Sequence, residues 1–296
     1  MKTVIITGLF STTFILACGQ KKVQSDTQML DTLSSISIIQ EEKNNLINSR
    51  GEILQTRFLT PQGYNRIRAE TNSFPEYLRH LPLKPHNSEV KMYDGNYKPG
   101  NNIYDAVVDL EIGSKDLHQC ADAVMRLRAE YLWRQNQYNK IHFNFTNGFR
   151  ADYTEWMKGK RIVVKGNSTY WTQTANHSNT YNDFWNYMEI VFSYAGTLSL
   201  SKELAKVEIN EMKIGDVFIR GGTPGHSIIV VDMAMDSLTG RKIFLLAQSY
   251  MPAQEIQILK NPNDKTLSPW YSVDFVDAVE TPEWIFRKTE LMRFVE

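Results

Sequence analysis

Gly215-Asp216-Val217-Phe218-Ile219, Arg220-Gly221-Gly222-Thr223-Pro224-Gly225 and His226-Ser227-Ile228-Ile229-Val230-Val231-Asp232 run on without a break, and this stretch decides the fold. The spacing predicts a strand over 216–219, a glycine-rich bend, and a buried strand over 227–233. The bend delivers His226 to the start of that buried strand, where its ring can face a cleft instead of the core. Small residues ahead of the histidine keep the backbone thin and leave room for a substrate chain. Toward the C-terminus, Asp236-Ser237-Leu238-Thr239-Gly240 supplies a turn, and further strands are expected over 242–249 and 255–259. The His226 strand and the one after it are read as an antiparallel pair.

Toward the N-terminus the pattern changes period. Tyr104 to Ile112 alternates and ends at Gly113, which predicts a strand. Asp116 to Gln135 has helical spacing, with Leu117, Ala121, Val124, Leu127, Tyr131 and Leu132 on one face. Asp116 is placed to cap that helix, with Gln119 three residues on reaching back. Ile141 to Phe145 reads as a short strand, and Tyr181 to Tyr194 as a second helix capped by Thr180. The fold class is therefore α+β: a helix bearing a cysteine packed on an antiparallel sheet bearing a histidine. An α/β segment is inserted between them.

That cysteine is Cys120, in the first turn of the expected helix. Free N–H groups and the helix dipole favour an anion there, so the position favours a thiolate. The alternative is a buried structural cysteine, a common role for a free thiol. A nucleophilic cysteine needs a base, and His226 is the candidate. A third group would orient the imidazole. Pairing centred on Ser237 puts Gln248 opposite His226, whereas a later centre brings Ser249 or Tyr250 there. Gln119, beside Cys120, is a candidate oxyanion donor together with the Cys120 backbone N–H.

The segment His118-Gln119-Cys120-Ala121-Asp122, the later Gly-Asp-Val-Phe strand, the Gly-His strand and the polar residue after it resemble papain-like NlpC and CHAP amidases and peptidases. That resemblance implies a papain-like fold and cleavage of peptidoglycan peptides, with Cys120 as nucleophile, His226 as base and Gln248 as orienting group. The chain departs from the pattern in having Gln119-Cys120-Ala121 where NlpC-type enzymes often carry Asp-Cys-Ser. About 105 residues separate Cys120 from His226, so an insertion must be accommodated. Over a longer span, Leu81-Pro82-Leu83, His142-Phe143-Asn144-Phe145-Thr146, Pro224-Gly225-His226 and Gln248-Ser249-Tyr250-Met251-Pro252-Ala253-Gln254 resemble an uncharacterised bacterial lipoprotein family, a domain of unknown function.

The insertion carries Trp156, Trp171, Trp185, Asp152, Glu155 and many tyrosines. The plainer reading makes these aromatics core and the acids solvated; the sharper one makes them a sugar-binding wall. A glycosidase using Asp152 and Glu155 would need the two carboxylates opposed across the scissile bond, which a three-residue spacing does not suggest. No paired histidines occur at metal-ligand spacing, and the expected chemistry needs no cofactor.

The first residues complete the expectation. Lys2 is followed by an apolar run from Val4 to Ala17, too short to span a bilayer comfortably, and then by Cys18-Gly19-Gln20. Ile15-Leu16-Ala17-Cys18 resembles a lipobox, which implies a signal peptide over 1–17 and lipidation of Cys18. Residues 18–52 then read as a polar tether, and 53–296 as one globular domain. Gly19 lacks the acidic character of an inner-membrane retention signal, pointing to the outer membrane of a cell envelope. Lys and Arg number 33 and Asp and Glu 33, so losing Lys2 leaves one net negative charge. That balance argues against a nucleic-acid partner and against polybasic membrane binding. The expected partners are the membrane, through the lipid, and a peptide or peptidoglycan substrate. With Cys18 acylated, Cys120 is a thiol with no intrachain partner.

Overall fold

The apolar runs on either side of the glycine-rich bend lie in the middle of a nine-stranded sheet in the computed structural model, which describes residues 46–100 and 102–295. In chain order its strands are β1 (Tyr64–Arg66), β2 (Tyr104–Val107), β3 (Ala205–Lys206), β4 (Val217–Arg220), β5 (His226–Asp236), β6 (Lys242–Gln248), β7 (Gln257–Leu259), β8 (Tyr271–Ser272) and β9 (Leu291–Arg293). They pair in the order β2-β7-β6-β5-β4-β9-β3, with β1 also on β5 and β8 also on β6. Every pairing is antiparallel. The longer helices are α1 (Phe74–Arg79), α2 (Cys120–Arg134), α3 (Tyr181–Tyr194) and α4 (Thr197–Glu203). The fold is mixed α+β with an antiparallel sheet. The expected leader over 1–17, Cys18 and the tether through residue 45 lie outside the described residues. Leu46 is already buried and Ile47 bridges Phe58, so packing begins ahead of Ile53.

Strand β5 runs from His226, one residue earlier than its spacing suggests, to Asp236. All of His226–Ala234 is buried, because neighbours flank it on both edges and α2 packs across it. Such a central strand contributes on both faces, which is why it reads as an unbroken apolar run. The β5–β6 turn is centred later than Ser237. Lys242 pairs with Met235 and Leu245 with Asp232, but beyond an irregularity Leu246 pairs with Val230 and Ala247 with Ile229. The extra residue, Val231, is a β-bulge that shifts the register by one. In the register before the bulge, Gln248 and His226 would fall on opposite faces of the sheet. After it they share a face. Continuing that register puts Tyr250, not Gln248, opposite His226, and leaves Gln248 on the diagonal.

Helix α2 begins at Cys120, four residues later than expected. Asp116 is not its cap: one carboxylate oxygen accepts from the Ala253 backbone N–H at 2.7 Å and from Gln119 Nε2 at 3.1 Å. Gln119 has the extended backbone of the N-cap, and its N–H donates to Asp122 Oδ2 at 2.9 Å. Cys120 is therefore the first helical residue. The helix is covered nearly all round, since every position from Cys120 to Leu132 is buried. Its charges are covered too. The Arg126 guanidinium lies 4.7 Å from the Trp185 ring and donates to Glu111 O at 2.5 Å, and Glu130 pairs with Arg126 at 3.5 Å.

The insertion supplies that cover. Trp156, Tyr153, Phe184 and Tyr187 are buried together, with ring centroids 5.1–5.9 Å apart. Trp171 and Trp185 are partly buried against the same core. Trp156, Tyr153, Phe184 and Tyr187 are core, as the plainer reading had it, whereas Tyr170, Tyr181 and Tyr194 are exposed. Thr180 caps α3 as expected, accepting from the Asp183 N–H at 3.3 Å.

Candidate active site

Three elements bring Cys120, His226 and Gln248 toward one place. Cys120 leads α2, His226 leads β5, and Gln248 ends β6. Cys120 and His226 line one cavity of about 580 Å³, together with Gln119, Asp122, Tyr250 and Trp284. The Ser227 backbone N–H, next in chain to His226, acts on the Cys120 thiol and lowers its pKa. Gln248 Oε1 lies 3.0 Å from His226 Nε2, reached on the diagonal that the Val231 bulge creates.

His226 is only 2% exposed. The rings of Tyr250, Trp284 and Phe286 enclose it at centroid distances of 4.9, 5.2 and 5.8 Å. Burial disfavours the imidazolium and lowers its pKa to about 4, outweighing the Gln248 hydrogen bond and the Glu283 charge, which raise it. The His226 imidazole is thus neutral at neutral pH.

Cys120 departs from its expectation. Burial pushes its thiol above the usual range, and the Asp122 carboxyl pushes the same way. The N–H groups of Ser227, Ala121 and Cys120 itself pull it down, as the helix N-terminus should, but do not prevail. The resting pair is therefore thiol and neutral imidazole, not thiolate and imidazolium. Asp122 is itself buried, and desolvation raises its carboxyl well above the usual range.

Gln119 lines the cavity, but its side-chain amide already donates one hydrogen to Asp116. The Cys120 backbone N–H, at the first helical position, has no intrahelical acceptor. Asp152 pairs with Arg150 at 2.8 Å, and Glu155 with Lys158 at 2.6 Å; neither lines the cavity. Among the described residues, no group of three or more His, Cys, Asp or Glu is arranged to hold a metal ion. A second cavity, of about 610 Å³, is floored by Ile67, Met212, Ile214 and Met233. It is as large, but is lined by neither Cys120 nor His226.

Two further side chains belong to the site and had no sequence signal. Glu283 sits between the strands Ala278–Glu280 and Ile285–Arg287, and its Oε2 accepts from Gln248 Nε2 at 2.6 Å. Lys98 donates to both Glu283 oxygens, at 2.8 and 3.1 Å, and its ammonium lies 5.0 Å from the Tyr250 ring centroid. These residues lie far apart in sequence, and only the tertiary fold joins them.

The bend lines the cavity through Gly222 and Gly225, and two of its glycines are also demanded by packing. A Cβ on Gly225 would lie 2.4 Å from both Gly222 O and Thr197 Oγ1, and one on Gly221 would lie 2.2 Å from Ser201 Oγ. Gly221 and Gly225 let the bend pack against α4. Gly225→Ala should therefore cost about 1–3 kcal/mol, as overpacking does, read as a lowered urea midpoint. An unchanged midpoint would remove this account of the bend.

Residues 54–293 match the family described as domain of unknown function (4846), and the chain belongs to that family. No curated protein and no solved structure matches the chain.

Proposed function

We propose that this member of the family is a thiol-dependent hydrolase of amide or peptide bonds in cell-envelope material, working through Cys120, His226 and Gln248 on a papain-like arrangement. The observation that carries the reading is the His226–Gln248 hydrogen bond beside a cavity that His226 shares with a helix-leading cysteine. Cysteine on a helix start, histidine on a strand start and a polar residue on the next strand follow the order the NlpC and CHAP resemblance implies. With both groups neutral at rest, His226 takes the Cys120 proton as sulfur attacks the carbonyl carbon, and the departing amine receives that proton. Water, deprotonated by His226, then releases the acid from the thioester. The Cys120 N–H and the remaining amide hydrogen of Gln119 are the donors for the oxyanion.

Lipidation at Cys18 would hold the domain at the outer membrane, within tether reach of wall peptides. Full-length protein incubated with purified sacculi should release peptide fragments detectable by mass spectrometry. Sacculi left intact would sink the hydrolase reading.

One observation favours a second reading, that of a non-catalytic cleft binding peptide or glycan: burial holds Cys120 as a thiol and His226 as a neutral ring. In that case wild type and Cys120→Ala would co-sediment equally with sacculi, and neither would release fragments.

A further inference from the structure

We propose that Glu283 is a positioning residue that fixes the tautomer of His226 through the Gln248 amide. Nε2 then carries the proton and Nδ1 keeps its lone pair. This deepens the reading of the cavity as an active site and rests on it only for its catalytic consequence.

The argument starts from what each group can do. An ionised carboxylate only accepts hydrogen bonds, a primary amide donates from nitrogen and accepts at oxygen, and a neutral imidazole does one at each ring nitrogen. Lys98 donates to both Glu283 oxygens and so holds that side chain as an acceptor. The Gln248 group 2.6 Å from Glu283 Oε2 must then be its NH₂. That leaves the Gln248 carbonyl oxygen facing His226 Nε2 at 3.0 Å. A carbonyl cannot donate, so the hydrogen between them belongs to Nε2. With His226 neutral at neutral pH, Nδ1 is the unprotonated nitrogen and the one able to accept a proton.

The polarity thus runs one way, from Lys98 to Glu283, and from His226 through Gln248 to Glu283. Without Glu283 the Gln248 amide is free to turn over and present NH₂ to Nε2, moving the proton to Nδ1. Lys98 and Gln248 are buried at 9% and 1% exposure, so water does not easily substitute for a missing partner. Lys98 is the buried end of this ion pair and Glu283, with its side chain 21% exposed, the part-buried one; fixing one amide orientation is a specificity such a pair can supply.

Long-range ¹H–¹⁵N correlation spectra of the full-length chain at pH 7 test this directly, with the His226 signals identified by their loss in His226→Gln. Wild type should show a protonated Nε2 and a pyridine-type Nδ1. Glu283→Gln, whose amide can turn to accommodate either Gln248 orientation, should shift His226 toward the other tautomer or an average. Glu283→Asp should restore part of the wild-type pattern. A wild-type ring protonated on Nδ1, or a pattern indifferent to Glu283→Gln, overturns the proposal. The spectra need no turnover, so a chain that cleaves nothing can still carry the tautomer lock. If wild type does hydrolyse its substrate, Glu283→Gln should lower kcat about tenfold with KM little changed.

Discussion

Asp232→Ala should remove about 3–5 kcal/mol of folding stability, the usual cost of taking one member out of a buried ionic cluster. Asp232 has no exposed surface. Its Oδ1 accepts from Arg79 Nε at 2.5 Å and from the Met233 N–H at 2.8 Å, and its Oδ2 from Arg66 Nε at 2.7 Å. Arg79 also donates to Met233 O at 3.1 Å, so the cluster ties β1 and α1 to the middle of β5. Alanine would leave two guanidinium groups facing each other at a site where Arg79 is 6% exposed, with no anion between them. Against a typical total of about 5–15 kcal/mol, that is a large fraction. Urea denaturation followed by circular dichroism should show a much lower midpoint at an unchanged slope. Replacing Arg66, Arg79 and Asp232 together by apolar residues of similar volume should recover most of the loss. A single-variant loss under about 1 kcal/mol would mean that Arg66 and Arg79 find other partners.

The same strand shows how much of the fold is legible in the chain. The run Ile228-Ile229-Val230-Val231 is apolar because β5 is central, and no other element type of that length fits it. Helix α3 and its Thr180 cap are local, and both are read correctly. The apolar face read for helix α2 does not include Arg126, Arg128 and Glu130. They are buried because the insertion and α1 cover them: Arg126 lies under Trp185, and Arg128 is 5.2 Å from the Phe74 ring. Composition cannot distinguish a charged face in water from one under an aromatic ring. The Asp116 cap fails for a comparable reason, because its carboxylate is claimed by Ala253, a partner far along the chain. Pairing about Ser237 puts Gln248 opposite His226, yet the contact exists through a bulge at Val231 that no residue type announces. Glu283 and Lys98 are harder still. Each is an ordinary charged residue in sequence, and a pairing across about 185 positions follows only from the packed chain.

Cys120→Ala should lower kcat/KM on the substrate of the proposed hydrolase by at least about a thousandfold, and His226→Ala by about 10²–10⁴-fold. The double variant should be no worse than Cys120→Ala alone, because a base without its nucleophile has nothing to activate. The pH profile follows from the two shifts. His226 is lowered to about 4, so it becomes a competent base as pH rises through that value. Cys120 is raised, so the thiol proton that His226 passes to the leaving amine is still present past the usual thiol range. Activity should therefore rise on an acid limb near pH 4 and hold a plateau through neutral pH, instead of peaking between two close pKa values as a preformed ion pair would. Acid also acts on the fold. His226 and His118 are both lowered by burial, to about 4 and about 3, below an unfolded value near 6.5. The unfolded chain binds those protons first, so the stability the two contribute is complete above pH 6.5 and lost as pH falls toward their folded values. Each activity point therefore needs a matching circular dichroism spectrum, so that a dead site is separated from an unfolded one. Cys120→Ala keeping more than a tenth of wild-type turnover would take the nucleophile away from this residue. A narrow optimum at neutral pH would mean that Cys120 and His226 rest as an ion pair, and would overturn the assignment of a thiol beside a neutral imidazole.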